Sequence, residues 1–196
     1  MYWLPRRVFL KLVLLLGTFG VQWLNPFKAL SAPFRRKEES MILPKPDHEG
    51  KEESMILPKP DHEGSLSVEE AIKHRRTVRS FSSKPIRKED LSQLLYAAQG
   101  ITEDRGFKRA APSGGALYPL DVYTVAGEKG VEGLDAGIYH YIPLGHRIEH
   151  VITGDRNDQL ARASLQQMWM AGAPVNFVIT AEYSRIRSKY GERGIR

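Results

Sequence analysis

Ala111-Pro112-Ser113-Gly114-Gly115-Ala116-Leu117-Tyr118-Pro119 runs directly into Leu120–Ala126, a segment rich in β-branched and aromatic residues. The second part reads as a strand. The first reads as the turn that delivers it. Paired glycines let backbone approach a bound molecule closely, and a serine in such a turn can hydrogen-bond a phosphate or a sugar hydroxyl. Taken alone, the stretch is equally an ordinary Gly/Pro turn entering a strand, so the flanking segments decide what it is for.

Upstream, Ser67-Val68-Glu69-Glu70 has the spacing of a capping box, with Ser67 as N-cap and Glu70 at N3, and predicts a short helix from Val68 to about His74. A second helix is expected from Lys88 to Gln99. There Leu91, Leu94, Leu95 and Ala98 recur at helical spacing, and Gly100 ends the run. Downstream, Gly137–Ile142 and Arg147–Ile152 read as a hairpin around Pro143–His146. Asp155 is placed to cap a helix from Arg156 to about Met170. The continuously apolar Ala173–Ala181 predicts a strand buried on both faces. This order of elements argues an α+β sandwich, helices packed on a mostly antiparallel sheet.

The densest chemical signal is Arg75-Arg76-Thr77-Val78-Arg79-Ser80-Phe81, placed where the first helix gives out. Guanidinium groups offer a planar fork of donors and stay charged, which suits a phosphate dianion. A solvated basic helix end interacting with the helix dipole would look the same. The order of segments adds more: RRTVRSF after a helix, then a helix with Leu94-Leu95-x-Ala97-Ala98-Gln99-Gly100, then APSGGALYP and a strand. Glu132-Gly133-Leu134-x-x-Gly137-Ile138-Tyr139-x-Tyr141 and Lys189-Tyr190-Gly191-Glu192-Arg193-Gly194 follow. Together these resemble the nitroreductase superfamily over about Ser65–Arg196. The APSGGALYP form is similar to the SagB-type dehydrogenase branch, which includes azoline-oxidising enzymes of peptide maturation.

The resemblance implies an FMN-dependent oxidoreductase, a flavoprotein that works as a homodimer on a small-molecule or peptide substrate. By position, Arg75, Arg76, Thr77 and Arg79 match contacts to the FMN phosphate and ribityl chain. Pro112, Ser113 and Gly114 match the loop that reaches FMN, often from the second subunit. Lys189 and Tyr190 match the Lys-Tyr pair used for proton transfer. A desolvated lysine beside cationic groups is a physically sound base. An amphipathic helix with a snorkelling lysine and a packed tyrosine is the structural alternative. The family pattern continues past the GERGIR segment into a long core helix and a final strand, so the C-terminal part of the domain is expected to be missing. That leaves two other readings beside the enzyme: a non-catalytic flavin- or partner-binding module, and an inactive gene fragment.

The chain has 196 residues, of which 41% are hydrophobic, enough for a packed core. Four of its six net positive charges fall in Met1–Ser31, which has no acidic residue. A nucleic-acid binder concentrates basicity on its folded face, so nucleic acid is not an expected partner. There are no cysteines, which excludes disulfides, thiolate metal sites and cysteine nucleophiles. Residues 1–31 combine Arg6-Arg7-x-Phe9-Leu10-Lys11, the apolar run Leu12–Val21 and small residues at Ala29 and Ser31. They resemble a bacterial twin-arginine signal peptide, with Pro5 departing from its pattern. An ordinary secretory signal or an uncleaved anchor remains the other reading. Export out of the cytoplasm is expected, with membrane contact only through that signal.

Residues 32–64 are expected to be a linker. They contain an exact tandem duplication, Lys37–Gly50 and Lys51–Gly64, each reading KEESMILPKPDHEG. Two short copies rich in Pro, Glu and Lys do not make a solenoid, and a spacer is the simplest account. His48 and His62 are copies of one another and lack the frame of a metal site. His140 is expected to be a packed or rim residue of the strand pattern. His146 and His150 flank a turn without a carboxylate at metal-site spacing, and no metal site is expected. The globular domain is therefore placed at residues 65–196.

Overall fold

In the computed structural model, the residues described are 53–103, 105, 106 and 108–195. The expected signal peptide and the first repeat copy lie outside them. The second copy does not, and it overturns the spacer reading for its own part of the chain. Ser54–Ile56 forms strand β1, paired antiparallel to β4 (Arg147–Thr153) through Ser54↔Glu149, Met55↔Ile148 and Ile56↔Arg147. Leu57, the next residue, is only 4% exposed and belongs to the core. Burying a leucine is worth about 1.5–3 kcal/mol, which explains why a segment of linker-like composition holds to the sheet. The folded part therefore begins before Ser65.

The remaining strands are β2 (Leu120–Ala126), β3 (Gly137–Ile142) and β5 (Val175–Ala181). They complete a five-stranded, wholly antiparallel sheet in the order β1-β4-β3-β2-β5. Side chains alternate across the pleat, and both faces of β2 are used. Val122 and Ala126 join a cluster with Leu57, Leu91, Leu95, Tyr139, Tyr141 and Ile148, covered by helix α2 (Lys88–Gln99). Tyr123 and Val125 join Ile138 and Leu160 on the other face, where helix α3 (Asn157–Ala163) packs. The α+β sandwich expected from the order of elements is the fold observed.

Helix α1 (Val68–His74) starts at Ser67 with both reciprocal bonds of the capping box in place, yet none of its residues is buried. In α2, Leu91 and Leu95 are fully buried while Leu94 is half exposed. Two expectations need correction. The helix expected from Arg156 to Met170 ends at Ala163, because Leu165 and Gln166 take left-handed backbone (φ 59° and 61°), and a short 3-10 segment follows over Met168–Gly172. The strand expected to be buried on both faces is, among the described residues, an edge strand paired with β2 alone, and it exposes Phe177 and Ile179. A run of apolar residues cannot distinguish a central strand from an edge awaiting cover. Helix α4 (Tyr183–Tyr190) leaves that edge and carries the last site residues.

Candidate functional site

The turn at Ser113 is built from its own side chain. Ser113 Oγ accepts from the Tyr118 N–H at 2.9 Å, and the Ser113 carbonyl accepts from the Ala116 N–H at 3.2 Å. Between them the backbone is left-handed at Gly115 (φ 65°), Ala116 (φ 55°) and Tyr118 (φ 41°). Such conformations cost free energy at non-glycine residues and cluster at binding sites.

What lies above Gly115 is the central observation. A Cβ placed on it would come within 2.6 Å of the Tyr190 hydroxyl and 2.8 Å of Lys189 Nζ. The chain thus folds its two separate motifs together, with both polar tips resting on bare glycine backbone. The Lys189 ammonium also sits 5.6 Å from the Tyr190 ring centre. Neither side chain is buried in the chain by itself, so the desolvated lysine expected from the resemblance requires something further to cover it.

Helix α4 is held to the strand by residues that sequence reasoning passed over. Arg185 makes a bidentate pair with Asp121 of β2, 3.0 Å to each carboxylate oxygen, and donates to the Tyr118 carbonyl at 2.9 Å. Pro119 receives the Glu182 N–H at 2.7 Å, and the Glu182 carboxylate caps the helix at Ser184. Buried His140 stacks on Tyr123 and places Nε2 3.6 Å from Asp121 Oδ1. Burial works to raise the Asp121 pKa, but the His140 ring and the Arg185 guanidinium outweigh it and hold the carboxyl below its ordinary value. The signal that could have found this pair is a lone aspartate opening an apolar strand, with an arginine one helical turn before Lys189.

The arginine cluster occupies a different setting. Arg75 is the C-cap of α1, and its N–H is bonded to Ala71. Arg76 Nη1 donates to the carbonyls of Lys73 and Arg75, both at 2.9 Å. Arg79 lies over the Trp169 ring at 5.7 Å, and Phe81 is 6.1 Å from the same ring. Thr77 is exposed, as are Pro112 and Gly114, and Ser113 is half buried. Among the described residues, no carboxylate pairs with Arg75, Arg76 or Arg79. No hydrogen bond or ring contact among them joins this cluster to the loop at 112–115 or to Lys189 and Tyr190. The structure therefore assembles the loop with the Lys-Tyr pair and presents the arginines separately, without carboxylate partners among the described residues.

Comparison with known proteins agrees with this architecture. The nitroreductase family profile matches residues 72–196. A candidate nitroreductase of Methanocaldococcus jannaschii is 40% identical over 131 residues, covering 67% of this chain and 65% of that protein. The microcin B17-processing protein McbC of Escherichia coli is 37% identical over 65 residues, covering 32% of this chain and 24% of its own. The crystal structure of a candidate nitroreductase from Ralstonia eutropha superimposes with a TM-score of 0.60 at 26% identity, covering 74% of this chain and 63% of that one. The chain spans 65% or less of the length of each of these relatives.

Proposed function

The chain belongs to the nitroreductase family, and from that premise we propose that it is an FMN-dependent oxidoreductase moving two electrons as a hydride between the flavin and a small-molecule or peptide substrate. The observation that carries the proposal is the convergence of Lys189 and Tyr190 on the bare backbone of Gly115. Two proton-carrying groups meet there on a strained glycine turn.

The residues fit the cofactor. Arg75, Arg76 and Arg79 supply guanidiniums without carboxylate partners among the described residues, the donor set a terminal phosphate needs. Thr77, Pro112, Ser113 and Gly114 supply a hydroxyl and close-approach backbone. Bound FMN would supply the redox chemistry, and the protein orients it and manages protons. In this reading Lys189 Nζ holds or accepts the proton that leaves the substrate when hydride is lost. The Tyr190 hydroxyl, beside it, passes that proton onward; in the reductive direction the roles reverse. The exposure of both side chains supports a homodimer, in which a second protomer covers them and excludes water. The name of McbC favours a peptide among the possible substrates, and the Arg6-Arg7 leader favours export after folding.

The test is an absorption spectrum of the purified full chain after mixing with FMN and gel filtration. Flavin bands co-eluting with protein are expected. Replacing Arg75 and Arg79 together with Ala should weaken FMN binding at least tenfold and leave riboflavin, which lacks the phosphate, bound as before. A folded, colourless protein would refute the oxidoreductase and leave the partner-binding module.

A further inference from the structure

The sheet edge at β4 holds the second repeat copy through a defined set of contacts. His150 N–H donates to the Glu53 carbonyl at 3.2 Å and Leu57 N–H to the His146 carbonyl at 3.0 Å. Ser92 Oγ donates to the Pro58 carbonyl at 2.6 Å, and Asp61 N–H donates to Gln93 Oε1 at 2.9 Å. Leu57 fills a place between α2 and the sheet, Met55 packs beside it, and the His62 ring meets Tyr96 edge-on at 5.2 Å. Every group the slot reads is either main chain or a side chain that recurs fourteen positions earlier: Met41 for Met55, Leu43 for Leu57, Pro44 for Pro58, His48 for His62.

We propose that this slot is a peptide-binding site with two interchangeable occupants in the same chain, residues 53–62 and the identical residues 39–48. The contacts made by either occupant are the same, so the balance is set by chain connectivity. Helix α1 buries nothing, and the next main-chain hydrogen bond to the sheet-bearing body after the slot is made by Ile86, whose N–H bonds the Gly130 carbonyl. With the second copy docked, the free connection is residues 63–85. With the first docked, it is residues 49–85. The probability of closing a loop falls as the three-halves power of its length, which favours the second copy only about twofold. Exchange moves fourteen residues from one side of the docked segment to the other. The stretch of chain N-terminal to the docked segment then has two lengths, differing by up to about 50 Å when extended. The duplication is thus an adjustable attachment, and it does not depend on the flavin reading.

The chain contains no cysteine, so introduced pairs report cleanly. Ile56 and Arg147 are Cα partners. In the full chain, Ile56→Cys with Arg147→Cys should form an intramolecular disulfide on mild oxidation. Ile42→Cys with Arg147→Cys should do so at about half the initial rate. No disulfide in the second pair, or one linking two molecules, would overturn intramolecular exchange. Stability gives an independent reading. Leu57→Asp alone should lower the folding equilibrium constant about threefold and Leu43→Asp about 1.5-fold, because the other copy takes the slot. The double substitution should cost far more than their product. If Leu57→Asp alone already matches the double variant, the first copy does not dock and the proposal fails.

Discussion

The two ends of this molecule solve opposite problems with the same sheet. Where β1, β4 and α2 meet, the chain packs against itself: Leu57, Leu91 and Ile148 are buried, and Ser92 and Tyr141 both bond His146. Around α1, β5 and α4, large apolar residues stay exposed, including Val68 (70%), Ile72 (71%) and Ile179 (61%), and the arginines have no carboxylate partners among the described residues. One end is a finished core. The other pairs exposed apolar side chains with arginines that have no carboxylate partner among the described residues, a composition that suits a surface that binds something. The contrast separates residues that hold the fold from residues held ready by it.

Substitutions should divide along this line. Lys189→Ala is expected to lower turnover by about 10²–10⁴-fold, the usual contribution of a positioned proton carrier, without moving the unfolding midpoint or releasing flavin. Leu91→Ala should do the reverse. It removes a fully buried side chain and should cost about 2–5 kcal/mol of stability, with turnover unchanged in whatever protein remains folded. Stopped-flow or steady-state rates together with urea unfolding check both, and equal effects on both readouts in either variant would erase the contrast. Gly115→Ala comes next. A left-handed position with a side chain costs about 1–2 kcal/mol, and the added methyl meets the Lys189 and Tyr190 tips. Displacing a reacting group by about 1 Å can cost 10²-fold, so turnover should fall about 10–100-fold.

The contrast also explains what could be read from the sequence. The capping box at Ser67, the 88–99 helix, the hairpin around Pro143–His146 and the strand after Pro119 are local patterns, and they are found where periodicity and turn residues place them. The meeting of residue 115 with residues 189 and 190 follows from tertiary closure. Spacing along the chain could not show it, and only a family resemblance put these residues in one site. Two errors have physical causes. The β1 segment was missed because three residues flanked by prolines and charges look like linker, and their pairing depends on an edge supplied 90 residues later. The break at Leu165 was missed because a left-handed turn at Leu-Gln carries no glycine to announce it.

Asp121→Asn should give a smaller effect, confined to the site end. It loosens the Arg185 clamp on α4, which is partly exposed to solvent, so the stability loss should stay within about 1 kcal/mol. Turnover should still fall several-fold as Lys189 loses its fixed place. A useful check is that the pH profile of turnover shifts in the variant; an unchanged profile with reduced stability would make Asp121 a structural residue only.

The smallest expected effect is titration, and it falls in different windows at the two ends. Ser92 gives its proton to Pro58, so its oxygen accepts from His146 Nε2–H, and Tyr141 O–H donates to Nδ1. That network needs a neutral ring, and burial holds the His146 pKa below its ordinary 6.5. The unfolded chain therefore takes up this proton first, and stability falls as pH drops from about 6.5 toward the depressed folded value. Tyr141 sets the alkaline limit of the same end. Burial pushes its pKa up to about 12 from 10, so stability is lost as pH rises through that interval. Asp121 responds in a third window. Its carboxyl is held below 3.8, so its contribution persists above that value and disappears as pH falls through the folded one. Urea unfolding between pH 8 and 5 should thus show a loss that His146→Gln flattens and Asp121→Asn leaves in place. If Asp121→Asn removes it instead, the ends are coupled and the division drawn above is wrong.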